Sequence, residues 1–229
     1  MLSTADDAGA LISPRSIDAR ESAPGSRGAH GELVIVRHGE TEWTVTGQYP
    51  GATELPLTAN SRRQVVSLHR ILRGPLRERS PVVVSSPRLR VVETARLALP
   101  DAHAVIDPLL SEFDCGSDEG LTPTEVARRR PGWGIWNDRC PDGESVEEVG
   151  ARGGHFLETS VTHVEVPVVV VSHGHFSRIL AARALGLDGD QGRLFASATA
   201  SVSVVGDHHG ERCIGLSNAA ADLGDDLIG

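Results

Sequence analysis

Four short apolar runs constrain this chain more than any other feature: Leu33 to Val36, Val82 to Val84, Val105 to Ile106 and Val168 to Val171. They are too short to be core helices, and they lack the polar alternation of strands wetted on one face. Short aliphatic runs of this kind read as strands buried on both faces of a parallel sheet. Amphipathic stretches separate them, so the pattern is that of an α/β fold, a mostly parallel sheet covered by helices. One helix is expected from Thr58, with Val65, Leu68 and Leu72 on one face and a stop near Gly74 and Pro75. A second follows Arg88 and carries Leu89, Val92 and Leu99 at helical spacing. Thr122, Pro123 and Glu125 make one capping box, Ser145 and Glu148 another, and a further helix runs from about His175 to Leu185 before Gly186. SVSVV and RCIGL around DHHGE read as a terminal hairpin, which gives the sheet an antiparallel edge strand.

The chain has 229 residues, 39% of them hydrophobic, enough to bury the core of one domain. Residues 32–223 form that domain, and segments 1–31 and 224–229 read as a flexible leader and tail, because their small and polar residues bury too little surface to order them. The net charge of -9 repels polyphosphate backbones and anionic headgroups, so neither nucleic acid nor a membrane surface is an expected partner. Lysine is absent and all 22 basic residues are arginine, which excludes both a Walker lysine and a Schiff-base lysine. Cys115, Cys140 and Cys213 fit neither a disulfide framework nor a zinc ligand set, and His208 and His209 read as turn residues rather than metal ligands. With no basic, apolar leader and no run approaching the roughly 18 apolar residues of a membrane span, the expected location is cytoplasmic. The assembly stays open between a monomer and a homodimer.

Three of the apolar runs lead into the same kind of chemistry. LVIV enters Arg37, His38 and Gly39; VVVSSP enters Arg88; VVVVS enters His173 and Gly174. Ligands of open α/β sheets bind at the carboxyl ends of the strands, so these segments are expected to converge. Guanidinium forks match phosphate oxygens, and the helix after each turn aims its first amides the same way. A neutral imidazole with one nitrogen held by a backbone carbonyl is a nucleophile for phosphorus, and neighbouring arginines keep it unprotonated. His38, beside Arg37, is the expected nucleophile, and His173 a ligand of the phosphoryl oxygens. The leaving alkoxide needs a proton from a carboxylate that a nearby phosphate dianion keeps protonated. On these grounds Glu112 in LLSEFDCGSDEG serves, and Glu119 serves equally well.

The segments RHGETEW, SSPRLRVVETA, LSEFDCGSDEG and VVVSHGH, in that order, resemble the histidine phosphatase superfamily, also called phosphoglycerate mutase-like, over roughly Leu33 to Leu223. The resemblance implies a three-layer α/β/α sandwich, no metal, no other cofactor, and phosphate esters as substrates. It puts Arg37 and His38 at the phosphate-binding arginine and the phosphorylated histidine, Arg88 at the second arginine, Glu112 rather than Glu119 at the proton donor, and His173 at the second histidine. GQYPGATELPLT and GWGIWNDRCPDGES are most similar to sugar-phosphate phosphatases, among them fungal sedoheptulose bisphosphatase and actinobacterial acid phosphatases. The substrate-facing residues are then Thr41, Thr44, Gln48, Gly51 and Gly174, with the Thr44 hydroxyl standing in for an asparagine of many relatives as a donor to phosphate. Arg128 to Arg130 read as a solvated helix face, although the superfamily places basic residues here for a second phosphate or carboxylate. The long insertion of the mutases is not evident, so the implied activity is hydrolysis of a small phosphorylated metabolite, a sugar phosphate or bisphosphate, through a phosphohistidine. Mutase-type phosphoryl transfer and non-catalytic phosphate binding are the alternatives.

Overall fold

The computed structural model describes residues 31–77, 79–162 and 164–220. The leader expected over 1–31 and the tail expected over 224–229 lie outside the described residues, Gly31 excepted. Six strands form one sheet: β1 (Leu33–Arg37), β2 (Val82–Ser85), β3 (Ala104–Ile106), β4 (Val168–Ser172), β5 (Ser201–His208) and β6 (Glu211–Ala220), in the order β3-β2-β4-β1-β5-β6. Strands β3, β2, β4 and β1 are parallel, and the hairpin β5-β6 adds two antiparallel pairings at the other side. The helices are α1 (Glu42–Thr46), α2 (Ala59–Leu76), α3 (Leu89–Ala98), α4 (Pro123–Arg129), α5 (Val146–Ser160) and α6 (Gly174–Ala184).

Strand side chains alternate between faces, and in the central strands both sets are apolar. Leu33, Ile35, Val168 and Val170 pack with Phe156 of α5 and Phe176, Ile179 and Leu180 of α6. Val34, Val36, Val169 and Val171 pack with Leu68 and Leu72 of α2 and Val91 and Ala95 of α3. Helices therefore cover both faces, which makes the three-layer α/β/α sandwich.

Three local expectations shift. Strand β3 lies at the sheet edge, where Val105 and Ile106 are exposed, because an edge strand is packed on fewer sides. Helix α2 continues past Gly74 through Pro75 and closes at Arg77 in a left-handed conformation (φ 45°). In α3 the buried stripe is Arg90, Val91, Thr94, Ala95 and Ala98 instead of Leu89, Val92 and Leu99, and Leu89 is half-exposed. Helix α1 was not expected; Thr41 and Thr44 build its capping box.

The β1–β4 register runs from Leu33↔Val168 to Arg37↔Ser172, and β2 ends level with them at Ser85↔Val171. The carboxyl ends of β1, β2 and β4 thus lie in one line. Leu68 of α2 is fully buried in the core beneath them. Leu68→Ala should lower unfolding free energy by about 2–5 kcal/mol, measured by urea denaturation.

Candidate active site

His38 leaves the end of β1 almost fully buried, with its amide donating to the Ser172 carbonyl at 2.9 Å and its own carbonyl accepting from Ala200 N at 3.0 Å. Its Nδ1 lies 2.6 Å from the Gly39 carbonyl, which can only accept, so the neutral ring carries its proton on Nδ1. Nε2 is left as a buried lone pair with no partner among the described residues. Burial first, then the positive charges of Arg37 and Arg90, hold the His38 pKa well below the ordinary value, against a smaller upward pull from the Gly39 bond.

His173 precedes α6 and is also fully buried, with Nε2 2.8 Å from the Ser86 hydroxyl and Nδ1 unpartnered. The two rings meet edge to face, 5.3 Å between centroids. Burial again leads in pushing the His173 pKa well down, followed by His38, Arg90 and Arg88. Gly39 N donates to Thr94 Oγ1 at 3.1 Å, which ties the His38 turn to α3.

The arginines are where sequence and structure part. Arg37 donates through Nη1 to the Ser197 carbonyl and keeps a buried, unpartnered Nε. It packs flat on Gly174, where a Cβ would come within 3.1 Å of its Cζ. Arg88, the expected second arginine, stands at the start of α3 with its side chain 29% exposed and Nη1 3.2 Å from Glu54 Oε1. Arg90 takes the inner place instead. It is fully buried, donates to the Thr53 carbonyl at 2.8 Å and the Gly51 carbonyl at 3.3 Å, keeps an unpartnered Nε, and acts on both histidines. Arg88 and Arg90 both follow the β2 turn, and only the phase of α3 separates them. Val91, Thr94, Ala95 and Ala98, the small and apolar residues buried on the same face as Arg90, set that phase by packing against the sheet.

Glu112 is 6% exposed and caps the first turn of α6. Its Oε1 accepts from Phe176 N at 2.9 Å and from Phe113 N at 3.0 Å, and its Oε2 from His175 N at 3.3 Å. Burial alone would raise its pKa, but His175, the Phe113 and Phe176 amides and Arg37 outweigh it and set the carboxyl below its ordinary range. Glu119, the competing carboxylate, accepts from Ala52 N at 3.0 Å and Thr53 N at 2.6 Å, and so pins the loop beside Gly51.

The substrate-facing set divides. Thr41 is fully buried at the α1 cap, and the Thr44 hydroxyl donates to the Thr41 carbonyl at 2.8 Å, so its hydrogen is committed within the capping box rather than presented to phosphate. Gln48 donates from Nε2 to the Gly120 carbonyl at 2.9 Å and accepts from the Thr46 hydroxyl, which makes it a loop brace. Gly51 has φ 28°, and a Cβ there would meet Glu119 Oε2 at 2.4 Å. An open cavity of about 300 Å³ is lined by Gly51, Arg88, Ser111, Glu112, Asp114 and Arg152. Arg128 and Arg129 are exposed at the end of α4, while Arg130 pairs with buried Asp118 and lies 5.0 Å from the Trp133 ring centre.

Sequence reasoning missed Ser86, Arg90, Thr94, Arg152 and also His175. The last packs its ring 5.6 Å from Trp136 and 6.0 Å from Tyr49, and burial lowers its pKa. Among the described residues no cluster of three or more His, Cys, Asp or Glu side chains could hold a metal ion, and no helix is long and apolar enough to cross a membrane.

The sequence profile of the histidine phosphatase superfamily, branch 1, matches residues 33–219. The chain is 40% identical over 181 residues to the acid phosphatase of Mycobacterium tuberculosis, covering 79% of this chain and 88% of that protein. It is 30% identical over 187 residues to the sedoheptulose 1,7-bisphosphatase of Saccharomyces cerevisiae, covering 67% of each. A solved structure of an open reading frame from Mycobacterium tuberculosis superposes with a TM-score of 0.75 at 37% identity, over 84% of this chain and 99% of that one.

The two neutral imidazoles give stability a definite pH dependence. Their folded pKa values lie well below the ordinary 6.5, so below pH 6.5 the unfolded chain takes up protons that the folded chain refuses. Stability is therefore nearly complete above about pH 7 and falls as the medium is acidified, by about 1.4 kcal/mol for each histidine between pH 7.5 and 5.5. Urea midpoints between pH 7.5 and 5.5 should show this fall, and His173→Asn should lessen its slope; a flat profile would contradict the buried neutral state.

Proposed function

The chain belongs to the histidine phosphatase superfamily, branch 1, and we propose that it is a metal-independent phosphomonoester hydrolase acting through a phosphohistidine on His38. The observation that carries this reading is the His38 ring, whose Nδ1 bonds the Gly39 carbonyl while Nε2 is buried, unprotonated and unpartnered. A lone pair so held needs no further proton removal before it attacks phosphorus.

The phosphoryl oxygens lie among Arg37, Arg90 and His173, with Arg88 at the rim. The unpartnered Nε atoms of Arg37 and Arg90 and Nδ1 of His173 are the groups left to receive them. His38 Nε2 forms the bond to phosphorus as the ester P–O bond breaks, and Glu112 gives its proton to the departing oxygen. Water then yields a proton to the Glu112 carboxylate and attacks phosphorus, the N–P bond breaks, and inorganic phosphate leaves with His38 restored. Glu112 sits below its ordinary range without substrate. The substrate dianion supplies the opposing charge that lifts it to a protonated donor. The cavity beside Glu112 receives the alcohol part of a small phosphorylated metabolite, for which a sugar phosphate or bisphosphate is the class suggested by the sedoheptulose bisphosphatase relative.

Phosphate release from a panel of sugar mono- and bisphosphates and 3-phosphoglycerate tests the reading. His38→Ala should abolish release, Glu112→Gln should lower kcat/KM by about 10² to 10⁴, and Arg90→Ala should lower it by at least about 10² to 10³. Arg88→Ala should cost less than Arg90→Ala. Isomerised phosphoglycerate in place of free phosphate would instead assign phosphoryl transfer between hydroxyls.

A further inference from the structure

We propose that Arg152, held by Glu144, is a positioning residue for Glu112; the inference rests on the reading of Glu112 as proton donor. Ser111 to Asp114 have no regular secondary structure, so their carbonyls find no partner in a ladder or helix and the segment has no intrinsic rigidity. Arg152, on α5, fills that need. Its Nη1 donates to the carbonyls of Leu109 at 2.7 Å and Ser111 at 2.9 Å, and its Nη2 to the carbonyl of Glu112 itself at 3.0 Å. The remaining N–H groups form a fork on Glu144, Nε to Oε1 at 2.8 Å and Nη2 to Oε2 at 2.9 Å. A guanidinium has five N–H donors, and all five are used.

Glu144 completes the clamp. Its Oε2 also accepts from Asp114 N at 2.9 Å, and its amide donates to the Asp114 carbonyl at 2.9 Å. The segment is thus held on both sides of Glu112. The Arg152 guanidinium further lies 4.8 Å from the centre of the Phe176 ring, and the Phe176 amide is the 2.9 Å donor to Glu112 Oε1. One cation fixes both the backbone that carries the carboxylate and the residue that binds its oxygen. Lysine cannot copy this, because an ammonium is a point donor without the planar fork.

A residue that only stabilises the fold would, when altered, affect all substrates alike. A residue that positions the proton donor affects an ester in proportion to how much its leaving oxygen needs a proton. 4-Nitrophenyl phosphate and benzyl phosphate are similar in size, but nitrophenolate departs unaided and benzyl alkoxide does not. For Arg152→Lys and Glu144→Gln, kcat/KM on benzyl phosphate should fall by about tenfold to a hundredfold, against less than about threefold on 4-nitrophenyl phosphate. Inhibition by inorganic phosphate should be unchanged. Glu112→Gln should show the same bias. Equal losses on both esters, or no loss on either, would overturn the positioning role if Glu112→Gln remains biased; an unbiased Glu112→Gln would overturn the donor reading itself. Urea denaturation of each variant identifies the folded ones, and the two substitutions test the clamp from opposite sides.

Discussion

The parallel pairing of β1 with β4, in register from Leu33↔Val168 to Arg37↔Ser172, sets where every reacting group lies. The strands are apolar on both faces, so they must be covered on both sides, and the helices that cover them start at the carboxyl ends of the strands. Arg37, His38 and His173 therefore leave the sheet side by side. A one-residue slip of β4 would exchange its two buried faces and move His173 away from His38. The valine-rich core is in this sense the device that sets the 5.3 Å approach of the two rings.

That convergence has an energetic cost. Two imidazoles and two guanidiniums are withdrawn from water, with His38 Nε2, His173 Nδ1 and the Nε atoms of Arg37 and Arg90 lacking partners among the described residues. Unpaired buried polar atoms destabilise a fold, and a cluster of them in one place is the mark of a site shaped for a ligand rather than for the apo protein. The chain as a whole carries a charge of -9, so its attraction for a phosphate dianion is local. Burial makes that local field strong, because the same low dielectric that disfavours imidazolium magnifies the pull of each arginine on an anion.

The parts of this arrangement that were legible in the sequence are those set by short-range rules. Valine runs marked the central strands, and Thr122 with Glu125 and Ser145 with Glu148 form the capping boxes that their spacing announces. The terminal hairpin forms with β6 as its outer strand. The parts that were not legible depend on helix phase or on distant contacts. Arg88 and Arg90 both follow the β2 turn, and which one faces inward is decided by the packing of α3 against the sheet. The Thr44 hydroxyl was free to serve phosphate until the α1 cap claimed it. Arg152 reaches the Glu112 carbonyl across 40 positions of chain, a contact that no local pattern encodes.

The most direct test of the central claim is to capture the covalent intermediate. Rapid denaturing quench of the enzyme turning over a ³²P-labelled phosphate ester should leave label on the protein, stable in alkali and lost in acid, in a peptide containing His38. His38→Ala should leave none. Label that survives in His38→Ala, or that is lost in alkali as expected of a carboxylate ester of phosphate, would contradict the phosphohistidine mechanism.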